Sequence, residues 1–250
     1  MLNNKQIVKI ILPLFSFIFI MSAFIYSVHA FSFNIGLFDD FDIQISGNDY
    51  LDALFIESEL YPQLSSSLLS INLTSIKDKL ESLDYIEAVQ VSRILPHILM
   101  IHIVERSPMI LINMAKNVIF MDKKGILLPV DEKSLSIFPV PVLLILNDDG
   151  SNDEYMREIF QFFKYLLIEY PTFYRNISEV KIHADVWEFS SDNNTKIFAR
   201  ASYLKNQFNI LKNFENTIYP TRHLQDYSYI DLRTKNQVIV KEKYGKGKNG

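Results

Sequence analysis

The chain has 250 residues, enough for one or two domains plus an anchor. It carries 25 Lys and Arg against 29 Asp and Glu and no cysteine, so a disulfide framework, a zinc ribbon and a thiol nucleophile are excluded. Its weakly acidic charge suits nucleic acid poorly, and with seven glycines and no glycine-rich phosphate motif it lacks the usual nucleotide cradles.

In chain order, a short N-terminus (1–9) with Lys5 and Lys9 precedes an uncharged apolar stretch, expected as a transmembrane anchor over 10–31. It is long enough to cross a bilayer, and Pro13 sits in its first turns, where a missing N–H matters least. Lysine before the stretch, and Asp39, Asp40 and Asp42 after it, argue for a cytoplasmic N-terminus and an exported remainder. The stretch also fits a signal peptide cleaved at Val28-His29-Ala30, although its length favours an uncleaved anchor.

The next block, 39–108, begins with Phe41 to Ile45, which alternates as a half-buried strand does. A helical segment follows over 52–60. Thr74 and Ser75 are candidate caps for a helix over 76–83, whose Ile76, Leu80 and Leu83 mark one face. Strands over 86–92 and 98–104 flank a turn at Leu95-Pro96-His97. Strand, helix, helix, strand, strand is a small α+β unit.

A larger block, 109–242, reads as β-rich. A glycine-turn hairpin spans 118–128, a strand 142–146, a helix 154–169, three strands 180–199 and a helix 203–214. The block closes with a strand pair, 227–233 and 237–241, around Thr234-Lys235-Asn236. Two helices among many strands suggest a mostly antiparallel sheet with helices on one face. The lysine- and glycine-rich tail, 243–250, is expected to be disordered.

Chemistry-bearing patterns are scarce. The histidines (His29, His97, His102, His183, His223) show no metal-ligand spacing, no serine sits in G-x-S-x-G, and the Asp148-Asp149 and Asp153-Glu154 carboxylates read as a loop and a helix start. Phe160, Phe163, Leu167 and Trp187 read as core. A protein without a visible catalytic centre or cofactor site points to binding or scaffolding.

The run INLTSIKDKLESLDYIEAVQVSRILPHILMIHIVERSP, from Ile71 to Pro108, resembles the POTRA domain of the FtsQ/DivIB cell-division family. The matching positions are Ile86, Ala88 (one residue out of the simplest register), Val91, Arg93, Pro96, Leu99, Ile101, Ile103, Glu105, Arg106 and Pro108. Ile43, Ile45, Gly47 and Asn48 resemble the first POTRA strand and its turn. Asp122 with Gly125, the Pro139–Leu143 segment, and the ending Tyr229-Ile230-Asp231-Leu232-Arg233 with Gln237-Val238-Ile239-Val240-Lys241 are similar to the family's second domain. Two positions depart from the pattern: no glycine follows Trp187 in Ser190–Asn194, and Thr234 stands where the family often has an aromatic.

The resemblance implies a non-enzymatic, cofactor-free, single-pass divisome subunit at the septum of the inner membrane. Its implied partners are FtsB and FtsL, with FtsK-, FtsW- and FtsI-type proteins in the wider set. Tyr229, Ile230, Asp231, Leu232, Arg233, Thr234, Gln237, Val238, Ile239 and Val240 are the expected FtsB-type site, offering a sheet edge to a partner strand. The alternative is that this strand pair is simply core sheet. Glu105 and Arg106 read as an ion pair within the domain or as part of a second partner surface. Other readings are an envelope-binding module unrelated to division and an exported enzyme with a dispersed site. A multi-POTRA outer-membrane assembly protein would need repeats and a barrel that 250 residues do not hold.

Overall fold

The computed structural model describes residues 4–34, 38–64, 67–114, 117–145 and 153–243. The Asp148-Asp149 loop and the tail from 244 onward lie outside the described residues. Helix α1 spans Asn4–Asn34 with Pro13 inside it, and its Pro13–Phe31 part is long and apolar enough to cross a membrane. The chain divides into two compact units, Met1–Glu105 and Arg106–Gly250.

In the first unit β1 (Asp42–Ser46), α2 (Ala53–Leu60), α3 (Leu73–Glu81), β2 (Ile86–Ile94) and β3 (Ile98–Glu105) follow the expected order. The sheet order is β1-β3-β2, with β1 parallel and β2 antiparallel to the central β3. Leu99, Ile101 and Ile103 alternate inward from β3 onto Ile56, Leu60, Ile76 and Leu80 of the two helices. Helix α3 begins three residues earlier than the expected 76. Asn72 caps it, its Oδ1 accepting the N–H groups of Thr74 and Ser75, so these two are capped residues and not caps. A register shift between Ile86 and Ala88 is a bulge: Ile86 and Val89, three apart, both face the core, and Ala88 faces out.

Gly47 follows β1 at φ +79°, and a Cβ there would lie 2.1 Å from the Ile103 carbonyl oxygen. Only glycine accepts both that conformation and that approach.

Among the described residues the second unit is built on a nine-stranded mixed sheet. Its strands are β4 (Pro108–Met114), β5 (Asn117–Asp122), β6 (Leu127–Leu128), β7 (Val142–Ile145), β8 (Ile177–His183), β9 (Val186–Ser191), β10 (Lys196–Arg200), β11 (Tyr227–Asp231) and β12 (Ile239–Glu242). The order across the sheet is β12-β11-β10-β9-β8-β7-β4-β5-β6. Most neighbours run antiparallel; β4–β7, β7–β8 and β10–β11 are parallel. Strand β4 is interior, third from the β6 rim, and was not anticipated: MILI has no polar alternation to mark it as a strand.

Among the described residues there are four α-helices where two were expected: α4 (Glu132–Ile137), α5 (Asp153–Glu169), α6 (Pro171–Arg175) and α7 (Leu204–Ile218). Helices α5, α6 and α7 pack on one face through an aromatic cluster. Phe162 lies 5.5 Å from Trp187 and 5.2 Å from Phe208, and Phe208 lies 4.8 Å from Phe189 and 5.1 Å from Phe173. Phe160 and Leu167 pack at its margin. Helix α7 runs four residues past the expected end, because Phe214 and Ile218 continue its apolar stripe onto that core. On the opposite face Phe138, just after α4, meets Phe120 of β5 edge to face at 6.1 Å.

Candidate partner-binding edge

The candidate site is the β11–β12 hairpin. The Gln237 N–H donates to the Thr234 carbonyl, closing a turn in which Asn236 takes φ +56°, a conformation Asn tolerates better than most residues. The register then sets Asp231 opposite Ile239, Ile230 opposite Val240 and Tyr229 opposite Lys241.

The ten expected site residues separate by place. Tyr229, Ile230 and Asp231 belong to β11, which pairs with β10 on one side and β12 on the other, so its main chain is already used. Ile230 and Leu232 are buried, and Val238 and Val240 pack against the same core. Here the core-sheet alternative describes the side chains. Gln237 and Val238 precede the strand, which starts at Ile239 and not at 237. Among the described residues, strand β12 ends the sheet and is paired only with β11. The Lys243 N–H donates to the Asp226 carbonyl at 2.9 Å, so odd residues face β11. Alternation along the strand therefore turns the N–H and C=O of Val240 away from it, toward the open side.

The end of β12 is tied down by residues that carry no local sequence signal. The Ser228 hydroxyl donates to the Lys241 carbonyl at 3.0 Å, Arg222 pairs with Glu242, and the Lys243 ammonium donates to the Asn193 carbonyl at 2.5 Å. These contacts span 13 to 50 residues of chain, so only the fold reveals them.

On the outward face Arg233 forks onto Asp231, Nε to Oδ1 at 2.9 Å and Nη2 to Oδ2 at 2.6 Å. The guanidinium beside Asp231 holds its carboxyl below the usual carboxylate value, and the carboxylate in turn raises the Arg233 pKa. The same guanidinium lies 5.4 Å over the ring of Phe198, which meets Tyr229 edge to face at 6.4 Å. Ile239, opposite Asp231, remains 43% exposed, and Thr234 is exposed at the turn. The edge thus offers main-chain bonds, one apolar side chain and a fixed cation; it positions no nucleophile or acid–base pair.

The residues singled out in the first unit hold the fold. The Glu105 carboxylate accepts the N–H groups of Tyr50 and Leu51, both at 2.7 Å. Arg93 donates to the carbonyls of Leu68 (2.8 Å) and Ile71, fastening the loop before α3. Pro96 lies in the β2–β3 turn. Glu105 and Arg106 do not pair with each other as expected. Arg106 bridges at 3.2 Å to the buried Asp122, whose Oδ1 also accepts the N–H groups of Lys124 and Ile126 at the Gly125 turn. Pro108 opens β4 and is buried. Among the described residues no cluster of three or more His, Asp or Glu could hold a metal.

Comparison with known proteins decides the family. The model described as POTRA domain, FtsQ-type, matches residues 41–106, and that described as FtsQ/DivIB, C-terminal related, matches 107–241. The chain belongs to the FtsQ/DivIB family. Cell division protein FtsQ of Rickettsia bellii is 27% identical over 214 residues, covering 81% of this chain and 72% of that protein. Cell division protein FtsQ of Rickettsia prowazekii is 23% identical, covering 80% and 71%. A more partial match, 24% identical over 47% of this chain, is Cell division protein FtsQ of Koribacter versatilis. The C-terminal match reaches Lys241, so it takes in most of β12.

Proposed function

We propose that the chain is a non-catalytic subunit of the division machinery that recruits its partners by accepting an FtsB-type segment as an added strand on β12. The observation that carries this reading is β12 itself, a terminal strand with one unpaired side and a pinned end. Main-chain bonds would supply the affinity, so Thr234 in place of an aromatic costs little. Lys235 and Lys241 add positive charge along the hairpin and complement an acidic segment. FtsL-type binding would follow through the FtsB-type partner. In this reading α1 stays uncleaved as a single span, with the N-terminus inside and both units exported to act at the septum.

Proline at Val240 tests it, because that N–H faces the open side and is not part of the β11 pairing. Val240→Pro is expected to weaken capture of the FtsB-type partner at least about tenfold and to abolish mid-cell localisation of a fluorescent fusion, while the chain still unfolds cooperatively at a midpoint lowered by the lost Val240 packing. Undiminished capture by a folded Val240→Pro chain overturns the reading.

A further inference from the structure

Helix α2, ALFIESEL, is apolar on more than one side, a pattern expected of a buried helix. Yet it buries only Ile56 and Leu60. Leu54 is 74% exposed, Tyr61 77% and Phe55 42%. The Tyr61 N–H still donates to the Glu57 carbonyl, so Tyr61 continues the helical spiral and lies two turns from Leu54 on the same outward ridge. Single exposed apolar residues are ordinary; three within eight positions, opposite the buried stripe, make an unpartnered helix face.

The charge around this face identifies its occupant. From Asp39 to Glu105 there are twelve carboxylates and three cations, Lys77, Lys79 and Arg93, a net charge of −9. On the ridge itself Glu57 lies between Leu54 and Tyr61 and has no cation against it among the described residues. Glu59, on the flank, is already paired with Lys79 at 2.8 Å. Asp52 caps the helix by accepting the Leu54 N–H. An anionic lipid surface would repel such a unit. Seven residues separate the end of α1 from β1, eight Cα steps or about 29 Å at full extension, so the unit stays close to the end of the candidate membrane span.

We propose that the α2 face, centred on Leu54, Glu57 and Tyr61, docks a cationic amphipathic helix of a protein partner, a membrane-proximal segment with an apolar stripe flanked by Lys or Arg. The stripe covers Leu54, Phe55 and Tyr61, and the cations meet Glu57 and Asp52. This surface is independent of β12 and would let one chain hold two partners at once.

The test uses the full chain in neutral phosphatidylcholine nanodiscs and a fluorescent amphipathic Leu/Lys peptide of about 15 residues. Anisotropy at about 0.15 M salt is expected to show saturable binding to chain-bearing discs and none to empty discs. Leu54→Ser/Tyr61→Ser should weaken it at least about tenfold and Glu57→Lys several-fold, and a Leu/Glu peptide of the same pattern should bind at least about tenfold more weakly. Because both apolar positions are largely exposed, the double variant is expected to keep the wild-type unfolding midpoint. Val240→Pro should leave peptide binding unchanged, which separates this surface from the strand edge. No binding by the wild type, equal binding by the double variant, or equal binding of the Leu/Glu peptide overturns the proposal. So does quenching of a Tyr61→Trp chain by brominated lipid, which would assign the face to the bilayer, or a dimer lost in the double variant, which would assign it to a second copy.

Discussion

Glu105 shows how one carboxylate can organise a loop at a distance. It takes two backbone N–H groups of the segment leading into α2, each bond charge-assisted. Glu105→Ala leaves both donors without that partner and is expected to cost about 2–4 kcal/mol, read as a lower urea midpoint of the full chain. Asp231 gives a pH signature. Arg233 lowers its folded pKa below the ordinary 3.8, so the pair contributes stability that is fully present above 3.8 and is lost as pH falls from there through the lowered folded value. The pair is close to solvent, so the effect is at most about 1 kcal/mol; Asp231→Asn should flatten the acid limb of stability between about pH 5 and pH 2, and an unchanged limb would refute the coupling. Burial pushes the Tyr174 hydroxyl, which donates to the Met109 carbonyl at 2.6 Å, up to about 12. Alkaline absorbance titration should therefore lose a late-titrating tyrosine in Tyr174→Phe.

Elements with a clean period or a β-branched run were legible in the sequence, the interior strands β3, β7, β8, β9 and β10 among them. Helix α5 and the β11–β12 pair could be read from Phe163 and Leu167 and from the alternation around Val238 and Val240. Strand β4 was not read, although its MILI run is as apolar as the VLLI of β7 and both strands are paired on two sides. The short α4 declares itself by Asp131 and Ser134 exchanging hydrogen bonds, a capping box without the usual Glu or Gln. The edge position of the last strand was legible because a final hairpin strand has one neighbour by default. The parallel pairing of β10 with β11, which closes Tyr229, Ile230 and Asp231 to a partner, depends on a crossover through α7 that no local pattern states. That crossover is held by Phe208, fully buried among Phe162, Phe173 and Phe189. Phe208→Ala is expected to cost about 3–5 kcal/mol and, by loosening α7, to release β11 and β12 early in native-state hydrogen exchange.

At the scale of the whole chain, the absence of cysteine makes orientation directly measurable. Single cysteines at exposed positions, Ser58→Cys and Asn236→Cys, should react in intact cells with a maleimide that cannot cross the inner membrane, and Asn4→Cys should react only after lysis. The opposite pattern would invert the topology. The far rim of the large sheet has a consequence of its own. Strand β6 covers only Phe120 and Met121 before it stops, so the rim opposite β12 is a two-residue stub. A sheet with two long open rims could join head to tail into an endless ribbon, since each added unit would present a fresh edge. In the strand addition proposed above, the short rim at β6 would leave the large sheet with no second edge to match β12. If a guest strand adds at β12 as proposed, the large sheet would end there on one side and in a two-residue strand on the other, and the added strand would not seed a ribbon of copies.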